Sequence, residues 1–391
     1  MLALRLARGA HPLVQLRRLL VAAASAGTGF LLLCTLAYAM EHPGAGSVLR
    51  LAWCLAPITA TVYFAVAVAR TDPGTRPRSG LSAVGLGPGR LMMLAAVSTA
   101  VACTLGSMVA LLFFLHLRGD LSGLPFDGAA AELLAADRPL PLAAALTLLA
   151  LVPLAASAAG ALVLRPRPAK AGGTDGGAEQ PGDTDAPASP PSGLPWGVAL
   201  LAAGLAVETY ASRSGGGIRG GFPMPGGADG SPAGVLAGWA LTALGLVLAG
   251  PGLTYLCGRL LQAVRPGAMR LLAGRVLQEE ARRIGRPLGV LCAVASGAFA
   301  SVVLYAGPRP EVGPLTALGA LLVAGCAVLT LATAAVEARQ ARSHTTDALL
   351  RLGAPATMLR GSAALRAGAL VAVFGPLTWI VAQLAAVPLG R

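Results

Sequence analysis

Long apolar runs separated by short polar segments make up most of this chain. A helix needs about 20 apolar residues to cross the hydrocarbon core of a bilayer, and several of the runs reach that length. Their spacing predicts nine membrane-spanning helices, at about residues 19–40, 48–69, 91–117, 140–164, 194–210, 234–261, 288–306, 315–336 and 363–389. We therefore expect an all-α polytopic membrane protein with about nine transmembrane helices.

Composition supports a membrane protein. Hydrophobic residues make up 55% of the chain and charged residues only 12%, whereas a soluble domain carries about 25% charged residues. The six cysteines all lie inside apolar runs, without the paired spacing of a metal site or a disulfide framework. They are expected to be small buried packing residues.

The basic residues fall on one predicted side of the membrane. Of the 30 lysines and arginines, 23 lie in five segments, namely the N-terminal segment, 70–90, 165–170, 259–286 and 339–366. These segments alternate with weakly charged ones, as the positive-inside rule requires of cytoplasmic loops. The net charge of +13 is therefore explained by topology, with a cytoplasmic N-terminus, and nucleic acid is not an expected partner. Because arginine replaces lysine almost completely, we expect a GC-rich bacterial source and a location in the bacterial plasma membrane.

Two parts of the chain resemble each other at a nearly constant offset. Leu86-Gly87 superposes on Leu352-Gly353 at a shift of 266, and Ser25-Ala26-Gly27 falls on Ser296-Gly297-Ala298 at a shift of 271. A constant offset is typical of a duplicated unit. On that basis spans one to four correspond to spans seven to ten, and the tenth span is missing from this sequence.

The segments group into five predicted regions. Residues 165–193 are rich in proline, glycine and aspartate, and we expect them to form a disordered cytoplasmic linker. The regions are an amphipathic cytoplasmic segment at 1–18, a first unit of four spans at 19–164, the linker, an intervening helix pair at 194–262 and a second unit of three spans at 263–391.

Two features of the intervening pair stand out. Gly238, Gly245 and Gly252 are spaced by seven on one helix face, and small residues in register allow close helix packing. Glu208 is an acidic residue near the predicted outer end of span five. An acid inside a membrane is a functional hypothesis by default, but so close to the end of the span we expect its carboxyl group to reach water.

Motifs for chemistry on this chain are missing from the sequence. It contains no G-x-x-x-x-G-K-[ST], HExxH or GxSxG pattern, and its four histidines are scattered. We therefore expect no catalytic residue, metal site or cofactor on this chain.

The arrangement of spans and connectors resembles the FtsX/MacB-like permease family of ABC transporters. A basic amphipathic start is followed by two spans, a short basic connector ending in Leu-Gly, and a third span. The stretch Asp347–Ala354, DALLRLGA, matches the loose signature of that connector well, and Leu81–Pro88 matches it less well. The resemblance covers nearly the whole chain and implies a permease subunit without a large extracellular domain.

The resemblance implies that the two connectors, 70–90 and 339–361, contact a separately encoded ATPase on the cytoplasmic face. That partner, expected to be a dimer, would bind ATP and magnesium, and this chain would bind neither. The implied coupling residues are Arg90, Leu86, Gly87, Arg342, Leu350, Arg351, Leu352 and Gly353. The alternative for the arginines is that they only enforce topology.

Substrate and competing functions follow from what the chain lacks. No outer segment exceeds about 25 residues, which favours a substrate taken from the membrane, such as a lipid, an amphiphilic peptide or a drug, in export or mechanotransmission. One alternative is a secondary transporter, which needs membrane-embedded acids and broken helices, and only Glu208 is even marginally placed. The other is a non-transporting membrane scaffold or regulatory protein.

Overall fold

A computed structural model gives the fold of most of the chain. It describes residues 12–71, 88–121, 128–132, 134–165, 191, 193–214, 233–263, 267–304, 313–353 and 355–386. Eleven α-helices and no strands occur in these residues. The helices are α1 (Pro12–Glu41), α2 (Ala45–Trp53), α3 (Leu55–Thr71), α4 (Pro88–Arg118), α5 (Leu142–Leu164), α6 (Gly193–Ser214), α7 (Ala233–Ala263), α8 (Ala268–Leu304), α9 (Pro314–Ala341), α10 (Ser343–Arg351) and α11 (Ala356–Ala386).

Eight of these helices are long and apolar enough to cross a membrane, which confirms the prediction of an all-α polytopic membrane protein. The eight candidate spans are Val14–Glu41, Arg50–Thr71, Met92–Arg118, Leu142–Leu164, Gly193–Ala211, Ala237–Ala263, Pro314–Ala341 and Thr357–Ala386. They coincide with eight of the nine predicted spans. The remaining one, predicted at 288–306, falls in the second half of α8, whose first half is charged.

Some predicted elements differ from those observed. Residues 268–286 of the predicted basic segment and the following span form one unbroken helix, α8, with Pro287 at their junction. Span two is divided, because the helix is interrupted at Cys54 between α2 and α3. Residues 72–87, which include most of the first connector, and residues 166–190 of the predicted linker lie outside the described residues.

The first half of the protein is a bundle of α1, α3, α4 and α5. Helix α1 lies at its centre and packs against the other three. The crossing of α1 and α4 is close because it uses a glycine: a β-carbon added at Gly106 would lie 2.2 Å from the carbonyl oxygen of Ala22. The Ser25 hydroxyl donates a hydrogen bond of 2.9 Å to the Cys103 carbonyl at the same crossing.

The second half is built from α6, α7, α8 and α11. Helix α7 packs between α6 and α8, and α8 packs on α11. The crossing of α7 and α8 is again glycine-mediated, because a β-carbon at Gly250 would lie 2.1 Å from the carbonyl oxygen of Gly285. Here the Ser296 hydroxyl of α8 donates to the Thr378 carbonyl of α11 at 3.4 Å.

Helix α9 joins the two halves. It packs on α8 in the second half and on α3 and α1 in the first. Its Leu322 side chain lies against Gly27 of α1, and Cys326 joins Phe64 of α3 in one buried cluster.

The two serine hydrogen bonds are equivalent in the two halves. Ser25 and Ser296 are the residues that the sequence offset of 271 aligns, and each donates to a carbonyl on the third span of its own unit. The acceptors Cys103 and Thr378 are related by an offset of 275. In each half a serine hydroxyl thus donates to a carbonyl of the helix packed beside it, although the two acceptors do not share the offset of 266 seen at Leu86-Gly87 and Leu352-Gly353.

Candidate functional site

The three glycines spaced by seven lie at the interface of α6 and α7. A β-carbon added at Gly252 would lie 2.5 Å from Cβ of Leu194, and one at Gly245 would lie 2.5 Å from the backbone nitrogen of Leu201. The antiparallel α6 presents residues at the same spacing of seven, so each glycine faces one residue of α6. The third glycine, Gly238, faces Glu208, with Cβ of Glu208 at 2.8 Å from the β-carbon position.

Glu208 therefore takes the place that leucine takes in the two preceding contacts. Its exposed fraction is 0%, so the expectation that its carboxyl group reaches water at the membrane surface is wrong. The reason is local packing: Gly238 has no side chain, which lets α6 and α7 approach closely enough to enclose the acid.

Only one of the two carboxyl oxygens of Glu208 has a hydrogen-bond partner in the described residues. The indole Nε1 of Trp239 donates to Oε1 at 2.7 Å, whereas Oε2 has no hydrogen-bond partner in the described part of the chain. One turn further along α7, the hydroxyl of Thr242 is also buried without a partner there. Buried polar groups are normally paired, so these two unpaired atoms, one on α6 and one on α7, are unusual within the described residues.

A cavity of about 460 Å³ lies next to this acid. It lies between the end of α2 and the start of α3 on one side and α7, α8 and α11 on the other. Trp239 and Thr242 line it, and Trp53 lies on the opposite wall. The remaining lining is apolar and small: Ala52, Ala56, Ala240, Ala243, Leu246, Ala293, Ser296, Gly297, Ala300, Val381 and Ala385. The size is in the range of small-molecule sites, which are mostly apolar with a few polar groups.

An ionic cluster lies at the other end of the bundle. Glu280, on the charged half of α8, forms an ion pair with Arg342. Nε of Arg342 lies 2.8 Å from Oε1 of Glu280. Nη1 of Arg366 on α11 is 3.9 Å from its other oxygen. Burial raises the pKa of Glu280 from 4.5 to about 7, against the opposing influence of Arg342 and Arg283. The cluster ties α8, the start of the connector and α11 together.

The second connector forms the short helix α10 and a tight turn. Leu352 amide donates to the Ala348 carbonyl at 3.0 Å, and Gly353 follows with φ of +85°. Glycine ends helices in this left-handed conformation because it has no β-carbon. The turn leaves Leu350 and Leu352 exposed by 45% and 83%.

The predicted coupling residues separate into two groups. Leu350, Arg351, Leu352 and Gly353 are exposed together on the connector, whereas Arg342 pairs within the protein with Glu280. Arg90 is exposed at the start of α4, away from α10 in sequence. Leu86 and Gly87 lie outside the described residues.

Sequence reasoning missed Trp53, Trp239, Thr242 and Glu280. Trp239 and Thr242 follow Gly238, which the heptad spacing had identified. Leu194, Leu201 and Glu208 on α6 have the same spacing of seven, and pairing the two rows would have predicted that Trp239 and Thr242 lie near Glu208. Nothing in the sequence indicates the pairing of Glu280 with Arg342, which lies 62 positions later between α9 and α10. Comparison with models of known protein families, with curated proteins and with solved structures finds no match to this chain.

Proposed function

We propose that this chain is the permease subunit of an ABC-type transporter in a bacterial plasma membrane, with its N-terminus in the cytoplasm. A separate ATPase dimer, which carries the ATP and magnesium, drives it. The observation that supports this proposal is the connector α10. Two leucines are exposed there, on a turn that is held to α8 and α11 through Arg342 and Glu280.

Exposed leucines beside arginine suit docking into an apolar groove of a protein partner. A leucine that is 83% exposed at a soluble surface gains free energy when a partner covers it. Because the connector continues directly from α9 and is tied to α8 and α11, movement of the partner reaches three membrane helices.

The proposed substrate is an amphiphile that enters from the membrane, such as a lipid, a peptide or a drug. The cavity of about 460 Å³ between the halves supports it. Its small apolar lining suits a hydrocarbon portion, and the Glu208–Trp239 pair behind one wall suits a polar or cationic group. The proposed activity is export or mechanotransmission.

A second candidate is a secondary transporter that uses Glu208. The observation that favours it is the complete burial of this acid with one carboxylate oxygen unpaired in the described part of the chain. Ionisable residues enclosed in a membrane are typical of proton and cation pathways. In that case transport requires an ion gradient and no ATPase partner.

Purification from native membranes in mild detergent tests the first candidate. We expect a stoichiometric partner with Walker motifs and ATP hydrolysis by the complex. The double substitution Leu350→Asp and Leu352→Asp should remove both, whereas Leu121→Asp, at an exposed leucine after α4, should keep them. A chain that purifies without an ATPase, and whose transport stops on Glu208→Gln, would replace the first candidate with the second.

A further inference from the structure

The cavity of about 460 Å³ between the two halves combines aromatic walls with a small aliphatic lining. Trp53 of α2 lines it on one side and Trp239 of α7 on the other. Among the described residues that line it, none carries a charge. A charge that acts on a bound molecule therefore comes from behind the wall.

Glu208 supplies such a charge through Trp239. Its side chain is enclosed between α6 and α7, with an exposed fraction of 0%. The indole Nε1 of Trp239 donates to Oε1 of Glu208 at 2.7 Å. Because hydrogen-bonded groups polarise one another at low dielectric, a carboxylate that accepts this bond shifts electron density onto the indole ring. The ring of Trp239 is therefore a stronger cation-binding surface than that of an unpaired tryptophan.

Thr242 adds a polar atom to the same wall. It lies one turn after Trp239 on α7, lines the cavity and is only 5% exposed. Its hydroxyl has no hydrogen-bond partner in the described part of the chain. The other hydroxyl of the lining, that of Ser296, already donates to the Thr378 carbonyl at 3.4 Å. The lone pairs of Thr242 are thus the ones left to face a positively charged group.

We propose that this cavity binds a monocationic amphiphile, with its ammonium group between Trp53 and Trp239 and its hydrocarbon part against the aliphatic side chains of α8 and α11. The inference rests on the proposed function, in which this cavity is the substrate site. It narrows the substrate class from amphiphiles in general to those with one positive charge.

Charge decides between the possible head groups. One buried carboxyl group balances one positive charge, and a cation nearby offsets the cost of a carboxylate held away from water. An anionic head group would be repelled by Glu208, and the described lining offers no basic side chain to compensate it. A neutral amphiphile would contact the aliphatic wall but would gain nothing from the acid. The site should therefore select by charge when the hydrocarbon chains are equal.

Binding of two probes with equal chains tests the inference on the purified full chain, without an ATPase. The probes are decyltrimethylammonium and decyl sulfate, used below the concentrations at which they form micelles. The protein is held in phosphatidylcholine nanodiscs, and empty nanodiscs measure partition of each probe into the lipid. By equilibrium dialysis we expect the cation to bind about tenfold more tightly than the anion. Equal binding, or tighter binding of decyl sulfate, would overturn the proposal.

Two pairs of matched variants locate the site. Glu208→Gln keeps an acceptor for Trp239 and removes the charge, so it should abolish most of the preference for the cation, whereas Glu132→Gln, at an exposed position, should leave it unchanged. Gly297→Leu fills the cavity from α8, where a β-carbon would meet nothing within 4 Å. It should weaken binding of the cation about tenfold, and Gly325→Leu, on α9 in equally open space, should not.

The preference is a ratio of two affinities on the same protein, so a loss of folded protein does not change it. An unchanged preference in Glu208→Gln, or unchanged binding in Gly297→Leu, would overturn the proposal. These failures are distinct from failure of the proposed function. An ATPase that co-purifies with a chain lacking the preference would leave the permease assignment in place and remove only this inference. Selective binding by a chain without an ATPase would keep the cation site and assign it to the second candidate function.

Discussion

Replacement of Glu208 by leucine should stabilise the protein. Leu194 and Leu201 face Gly252 and Gly245 in the two contacts that precede Glu208, so a leucine at this position continues an existing packing pattern. The acid, by contrast, is fully buried with Oε2 unpaired in the described part of the chain. A buried polar atom without a partner costs about 1–3 kcal/mol.

The substitution also has one cost. The indole nitrogen of Trp239 loses its acceptor at 2.7 Å, which costs about 1 kcal/mol because Trp239 is half-buried beside the cavity. The net expectation is therefore a stabilisation of up to about 2 kcal/mol. Glu208→Gln keeps the acceptor for Trp239 but still buries an unpaired polar atom, so it should change stability by less than about 1 kcal/mol.

Thermal unfolding of the detergent-solubilised protein, followed by tryptophan fluorescence, measures the effect. A gain of up to about 2 kcal/mol should raise the apparent melting temperature by about 1–2 °C. Val207→Leu, at the partly exposed neighbour on α6, is the control and should change it little. A destabilised Glu208→Leu variant with a stable Glu208→Gln variant would refute the reasoning, since it would mean that Oε2 has a partner in the folded protein. If the stabilised variant fails to transport, the acid is kept for function at the expense of stability.

Three further predictions concern packing, pH and topology. Gly245→Val should destabilise the protein by about 1–3 kcal/mol, because its β-carbon would lie 2.5 Å from the Leu201 backbone nitrogen. The control Gly325→Val, in open space, should cost little, and thermal unfolding of both variants checks this. Since the folded state raises the pKa of Glu280 from 4.5 to about 7, it binds a proton more tightly than the unfolded state, and stability should fall by up to about 3 kcal/mol as pH rises from 4.5 to 7. Melting curves at pH 5 and pH 8 should show this fall, and Glu280→Gln should remove it although Arg342, Arg366, Arg283 and Glu279 remain; an equal fall in the variant would assign the effect to another group. An impermeant maleimide applied to whole cells should label His42→Cys and leave Leu352→Cys unlabelled, because the six native cysteines are buried and the charge pattern predicts these two positions on opposite sides; the reverse result would invert the topology.

The apolar pattern predicted the helices well because burial in lipid depends on the length and composition of a run alone. Eight of the nine predicted spans agree with the candidate spans of the structure to within a few residues at most ends. The join at Pro287 was harder to predict, because a proline often ends a helix. Here α8 continues through it: Gly285 and Gly289 on either side pack directly on the backbone of α7.

The candidate site was less predictable because it depends on contacts between distant segments. The heptad spacing of Gly238, Gly245 and Gly252 indicated a close helix contact but not its partner. The burial of Glu208 followed only when α6 was found opposite that row.

Helix α9 has a mechanical consequence. It is the helix that lies on the boundary, against α3 and α1 on one side and α8 on the other, and its C-terminal end leads within two residues into α10. A force on α10 is therefore transmitted through α9 to the boundary between the two halves. That force reaches the contact between the two halves, where α9 packs on α3 and α1.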